Sequence, residues 1–355
     1  MHGRNQAFGR RSIALAAVAT ATAVTLVGCA AGGPSDGADA SGKIVVASYG
    51  GTFQEAQSTA YFTPFAEETG IAVTETEGSS YDKLKAMVDS GLVDWDVVSA
   101  ESSSYINEAN DGLLEPIDYT VVDAAGVPDS LKQEFGVGYL VFGLNVAWSN
   151  QAFPDGVTPE EFFDPTVKAR RALPESPVYT LEFALLGDGV SPEDLYPLDV
   201  DRAFAALDRI KDQVVAFKGG ADTQTLIQQG EVDLAYVPNG RVEDAIDAGA
   251  DWAYNWDGAV ADTEWWVIPK GAPNIEDAQK FIDYATSPEP QAAMSEAILY
   301  GPTNADAFPL IDPERASRLP GDPANADISA IVDPEWWSEN RETVKPEWDQ
   351  WLLSQ

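Results

Sequence analysis

Two lobes of α/β architecture, each a parallel sheet with helices on both faces, are what this sequence predicts, and three observations carry the prediction. From Lys43 onward, short apolar runs alternate with segments of helical spacing, the order that builds parallel sheets covered on both sides. Glycines stand where helices must stop, as at Gly70 and Gly91. About 313 residues follow residue 42, more than one hydrophobic core usually supports.

Taken in order, Lys43-Ile-Val-Val-Ala-Ser48 reads as a short buried strand. Thr52 to Thr69 spaces Phe53, Ala56, Ala60 and Phe65 as one helical face, and Ile71 to Thr76 alternates as a second strand. Ser80 to Ser90 is a helix with Tyr81, Leu84 and Val88 on one side, and Asp94 to Ser99 is a third strand. Tyr139 to Trp148 is a long apolar strand, and the helix Asp201 to Lys211 leads into the strand Val214 to Phe217. Helices over Thr223 to Gln229 and Arg241 to Ala248 flank the buried strand Leu234 to Val237. Trp265 to Pro269 is a strand, followed by helices over Ile275 to Thr286 and Glu289 to Ile298. Pro, Asp and Gly cluster between Asp306 and Asp327 as a surface loop, and Trp336, Trp337, Trp348 and Trp351 anchor a C-terminal helical region by packing, not by ligand contact.

Ahead of these elements stands a leader. Arg4, Arg10 and Arg11 precede an apolar run from Ile13 to Val27, too short to span a bilayer at the roughly 20 residues that requires. Leu26-Val-Gly-Cys29 has the form of a lipobox, so residues 1–28 read as a lipoprotein signal peptide and Cys29, the single cysteine, as the acylated residue. Residues 29–42 read as a flexible tether. Arg10-Arg11-Ser12-Ile13 matches a twin-arginine signal only in part, which leaves the export route open. The expected location is the outer face of the cytoplasmic membrane, held by lipid.

Composition excludes several chemistries. Loss of three leader arginines from a formal charge of −37 leaves about −40, a surface that repels nucleic acid. The single histidine, His2, lies in the leader, so the mature chain cannot build a Ser-His-Asp triad, a Cys-His pair or a usual zinc site. No cofactor is expected. An exported hydrolase working by paired carboxylates survives this filter, because it needs only Asp and Glu.

Five ordered segments then carry a resemblance over nearly the whole mature chain. They are Ile44-Val-Val-Ala-Ser-Tyr-Gly-Gly-Thr-Phe-Gln54 with Phe62-Thr-Pro-Phe-Ala-Glu-Glu-Thr-Gly-Ile-Ala-Val73; Asp96-Val-Val-Ser-Ala-Glu-Ser102 with Gly112-Leu-Leu-Glu-Pro-Ile-Asp118; Gly230-Glu-Val-Asp-Leu-Ala-Tyr-Val-Pro-Asn-Gly240; Trp265-Trp-Val-Ile-Pro269; and Tyr300-Gly-Pro-Thr-Asn304. The chain resembles solute-binding proteins of ABC importers, and among these the spermidine/putrescine-binding family. The resemblance implies a type II periplasmic-binding-protein-like fold with the ligand cleft between lobes, residues 43–146 plus 264–304 forming lobe one and 147–263 plus 305–355 lobe two. It implies a monomeric receptor, not an enzyme, that closes like a hinge on a small amine and presents it to a membrane permease.

The resemblance also implies the binding residues. In polyamine binders, rings sandwich the methylene chain and carboxylates hold the ammonium ends, because a desolvated ammonium is costly unless paired. By position the candidates are Tyr49, Thr52, Glu101, Ser102, Ser103, Tyr179, Glu182, Asn239, Arg241, Asp262, Glu264 and Tyr300, with Glu264 foremost. Three departures complicate a polyamine: Gly50-Gly51, Pro238 and Asp262 stand where the family carries aromatics or a polar neighbour. Fewer rings suit a shorter or more polar amine, and the glycine pair with Arg241 would suit the carboxylate of an amino acid such as γ-aminobutyrate or an opine. Receptors for ferric ion, thiamine or phosphonate, and a purely structural lipoprotein, are the remaining alternatives.

Overall fold

In the computed structural model, which describes residues 42–354, six short parallel strands are joined into one mixed sheet by two long antiparallel ones. The strands are β1 (Lys43–Ser48), β2 (Ala72–Glu77), β3 (Val97–Glu101), β4 (Gly136–Ser149), β5 (Arg171–Pro174), β6 (Val214–Phe217), β7 (Leu234–Pro238) and β8 (Trp252–Pro269). Their order is β2-β1-β3-β8-β4-β7-β5-β6. β1 pairs in parallel with β2 and β3, and β5 with β6 and β7, so each outer triplet is a parallel sheet, as the alternating pattern predicts, although β5 itself was not read from the sequence. The leader, Cys29 and the tether up to residue 41 lie outside the described residues.

What alternation did not reveal is the seam. β8 pairs antiparallel with β3 through Glu264–Val267 and with β4 along most of its length, and β4 pairs with β7 through Leu144–Trp148. The register of β8 against β4 breaks between Asn255 and Val260, where Gly258 takes φ 73°. Asn255-Trp-Asp-Gly258 therefore reads like a turn in sequence yet forms a bulge inside a strand.

Among the helices, α1 (Gly51–Gln57) continues through a π turn at Ser58–Phe62 into α2 (Thr63–Thr69), which Gly70 closes at φ 74°. The Ser80 hydroxyl caps α3 (Tyr81–Ser90) by accepting from the Lys83 N–H, and Gly91 ends it at φ 68°. α4 (Ser102–Asn110) and α5 (Thr180–Leu186) were not legible, the first because it leaves β3 without a break, the second because all of its residues are buried and no polar face marks the period. α6 (Val200–Ile210), α7 (Gly220–Gln228), α8 (Asn239–Asp247), α9 (Ile275–Ala285), α10 (Pro288–Ala297) and α11 (Pro334–Leu352) complete the set used below.

Aromatic stacks build the core on both sides of the seam. Trp266 stacks on Tyr139 at 4.0 Å, and Phe183 on Tyr236 at 3.8 Å. The expected surface loop after Asp306 is a packed segment instead: Ala307, Ile311 and Leu319 are buried with Ala292 and Leu299, placing it against α10. Of the C-terminal tryptophans, Trp337 and Trp351 pack between elements as expected, whereas Trp348 packs and also lines the main cavity.

Candidate functional site

The carboxyl ends of all six short parallel strands open on one cavity of about 670 Å3. β1 delivers Tyr49, β2 Gly78 to Ser80, β3 Glu101, β5 Glu175 to Pro177, β6 Lys218 to Gly220 and β7 Pro238. Open α/β sheets bind ligands at this place, since loops leaving strand ends converge there and helix N-termini point into it.

Three carboxylates share one face. Glu264 lies directly opposite Glu101 in the β8–β3 register, and Asp262 is two residues back on β8, so strand periodicity sets it on the same side. None forms an ion pair among the described residues, although Asp262 and Glu264 are 5% and 6% exposed. Burial, then the charge of Glu101, holds the Glu264 carboxyl well above its ordinary range. Burial is also the main cause that pushes Asp262 up to about 7. Carboxylates that oppose one another without a counter-ion favour an incoming cation.

Hydrogen bonds orient the cluster. The Ser99 hydroxyl donates to Glu264 Oε2 at 2.9 Å and touches the Tyr139 hydroxyl at 2.8 Å, which in turn accepts from Gln57 Nε2 at 2.9 Å. The Tyr179 hydroxyl reaches across the seam to Asp262 Oδ2 at 2.8 Å and Glu101 Oε2 at 3.0 Å. Tyr179 holds φ 69°, a strained conformation for a non-glycine residue that persists where the surroundings enforce it. Burial, then Asp262 and Glu101, keeps its hydroxyl protonated and therefore a donor.

Opposite in sign is Arg241, at the start of α8. Its Nη1 donates to Thr52 Oγ1 at 2.6 Å and its Nη2 to the Gly50 carbonyl at 3.2 Å, so it ties the β7–α8 turn to the β1–α1 turn. The Gly50-Gly51 pair permits this approach: a Cβ on Gly51 would sit 3.3 Å from Arg241 Nη1, and both glycines have positive φ. The guanidinium also lies 5.8 Å from the Phe53 ring centre. Tyr300 stands in the fields of both Arg241 and Glu264.

Six of the twelve sequence candidates therefore line the cavity: Tyr49, Glu101, Tyr179, Arg241, Glu264 and Tyr300. Asp262 stands directly behind, bonded to Tyr179. Thr52 is used by Arg241 and by Asp244, whose Oδ2 accepts its hydroxyl at 2.5 Å. Ser102 bonds the Thr263 carbonyl and the Trp265 indole, and Ser103 supports Glu101. Asn239 stays in the interior, accepting from the Gly143 N–H and donating to the Leu299 carbonyl. Glu182 is removed from the cavity, its Oε1 accepting from the Tyr196 hydroxyl and the Trp337 indole.

Sequence reasoning missed Phe53, Phe142, Lys218 to Asp222, Ser79 and Arg341. Lys218 to Asp222 follow a correctly placed strand, so applying the strand-end rule to every strand would have found them. Arg341 sits on a helix distant in sequence and carries no local signal.

Comparison with known proteins then gives three findings. The sequence profile of the family described as bacterial extracellular solute-binding protein matches residues 60–321. The chain is 35% identical over 322 residues to the gamma-aminobutyric acid-binding protein of Pseudomonas aeruginosa, covering 87% of this chain and 90% of that protein, and 25% identical over 270 residues to the spermidine/putrescine-binding periplasmic protein of Escherichia coli, covering 71% and 76%. A solved structure of the binding protein AgtB from Agrobacterium tumefaciens R10, in complex with agropinic acid, superposes with a TM-score of 0.86 at 54% identity, covering 89% of this chain and all of that one.

Proposed function

This chain belongs to the bacterial extracellular solute-binding protein family and is a substrate-binding receptor of an ABC transporter, and from that premise we propose that its ligand is a small amine that also carries an acid group, of the γ-aminobutyrate or opine kind. One observation supports this above the others: a single cavity is lined both by the carboxylates Glu101 and Glu264 and by Arg241 with the first residues of α7. The ammonium goes to Glu101 and Glu264. The acid goes to the guanidinium and to the α7 N-terminus, where Gly219 supplies no side-chain cap. A diammonium ligand would bring its second charge against Arg241, a repulsion of roughly 4 kcal/mol at contact distance near a protein surface. Relatives that bind γ-aminobutyric acid and agropinic acid agree with this reading.

A polyamine is the second reading, favoured by the three carboxylates and by the relatives at 25% identity. Calorimetric titration separates the two. Micromolar binding of γ-aminobutyrate with putrescine at least about tenfold weaker supports the acid-bearing amine. Putrescine binding without γ-aminobutyrate binding would overturn it.

The same reading includes a monomeric receptor whose lobes, 43–146 plus 264–304 and 147–263 plus 305–355, close on the ligand, with 305–319 carried on α10. It also includes an acyl anchor at Cys29, for which Cys29→Ser should release the protein from membranes.

A further inference from the structure

α8 starts as soon as β7 ends, and the polar side chains of its first turns reach away from the triplet that β7 belongs to. Arg241 and Asp244, three residues apart, share one face of the helix. Both end on Thr52, in the first turn of α1 beyond β1: its hydroxyl accepts from Arg241 Nη1 at 2.6 Å and donates to Asp244 Oδ2 at 2.5 Å. Arg241 lines the cavity, whereas neither Thr52 nor Asp244 does. The neighbouring Glu243, itself buried, pairs with Arg318 from the segment packed against α10. Gly240 permits this closeness, since a Cβ there would lie 2.8 Å from the Tyr300 ring.

The chemistry of this chain of contacts is directional. A hydroxyl has one proton to give, and Thr52 gives it to the Asp244 carboxylate, which leaves its lone pairs for the guanidinium. Charge at both ends strengthens the two bonds. They exist only while α1 and α8, which leave different triplets, are drawn together. Under the hinge reading α1 belongs to lobe one and α8 to lobe two, so opening breaks the chain and returns Thr52 and Asp244 to water. A contact made in the closed arrangement and lost in the open one shifts the population toward closure and raises affinity without touching the ligand.

Resting on the closing amine receptor proposed above, we propose that Asp244 is a positioning residue which, with Thr52, forms a latch outside the cavity: it sets Arg241 toward the ligand and keeps the halves shut, so that residence depends on a carboxylate the ligand never meets. Calorimetry and stopped-flow binding on the mature protein test this with γ-aminobutyrate and putrescine, using whichever the wild type binds. Asp244→Ala should weaken binding at least about tenfold. The loss should fall on dissociation, with the association rate within about twofold of wild type. Asp244→Asn keeps an acceptor oxygen for Thr52 and should restore most of the affinity. Thr52→Val should copy Asp244→Ala, and the double variant should bind no more weakly than either single one, because both remove the same contact. Asp247→Ala, which takes an exposed charge from the same helix, should change nothing. The unliganded melting temperature of Asp244→Ala should match wild type, which a residue that merely supported the fold would not allow. An unchanged dissociation rate in Asp244→Ala, additive losses in the double variant, or a fall in unliganded melting temperature overturns the latch and leaves the amine reading standing. Putrescine bound without γ-aminobutyrate removes the acid-bearing ligand and keeps the latch under the same test; neither probe bound removes the amine reading and the latch with it.

Discussion

Two buried acid sites, one at Glu264 and Asp262 and the other at Glu182, have the same chemistry and, under the proposed function, opposite roles. All three carboxyls lack an ion-pair partner among the described residues, and burial pushes all three upward, Asp262 and Glu182 to about 7. At the β8 site the support comes from Ser99, Tyr179 and the Thr263 N–H, and Glu264 faces the cavity. At Glu182 the Tyr196 hydroxyl and the Trp337 indole, at 2.5 Å and 2.6 Å, tie α11 to α5, and nothing faces outward. Burial and a raised pKa thus do not distinguish a ligand group from a structural one. The direction of the remaining hydrogen-bonding capacity does.

Removing the structural acid should give the largest effect. Glu182→Ala leaves the Tyr196 hydroxyl and the Trp337 indole without their shared acceptor, two buried donors at about 1–3 kcal/mol each, so a loss of roughly 4 kcal/mol is expected in denaturant unfolding. Affinity of the folded fraction for amines should be unchanged. A large fall in affinity with normal stability would exchange the roles assigned to the two sites.

Glu264→Gln should do the reverse. Amine affinity falls by at least about 2 kcal/mol, because a buried ammonium loses its charged partner. The melting temperature of the unliganded protein stays level or rises, since a like charge directly across from Glu101 is gone. Unaltered affinity would remove Glu264 from the ligand.

Why one acid was readable and the other misread follows from what each depends on. Asp262 and Glu264 were reached through the family resemblance, since the strand read from sequence began only at Trp265; the structure sets them beside Glu101 by period-two alternation on β8 and by the β3 strand end. Glu182 depends on Trp337, 155 residues away, and no spacing rule joins them. The same division runs through the fold. Helix stops at Gly70 and Gly91, five of the six parallel strands and the seam strand over Tyr139 to Trp148 were legible from local signals, whereas β5 and the full length and antiparallel pairing of β8 were not. The turn-like Asn255-Trp-Asp-Gly258 hid the continuity of β8, and its pairing with β4 is non-local. Arg341 shows the limit most plainly, as only the return of α11 across the cavity gives it a neighbourhood.

pH should separate the two sites through affinity, in an effect that is the smallest of the set per group and per pH unit. A carboxyl whose folded pKa is raised contributes stability that is fully present below its unfolded value and lost as pH rises through its folded value. For Asp262 and Glu182 that window runs from about 4 to about 7, so unliganded stability should decline with rising pH by up to about 1.4 kcal/mol per unit for each group. Amine binding has the opposite slope, because the ammonium needs the ionised form of Glu264, whose carboxyl burial holds well above its ordinary range, so binding must expel a proton. Glu182→Gln should therefore flatten part of the stability slope and leave the affinity slope intact, while Glu264→Gln should flatten the affinity slope. Calorimetry in two buffers of different ionisation heat reads the expelled proton directly: buffer-independent heats at pH 6 would mean that the β8 carboxylates do not receive the charge.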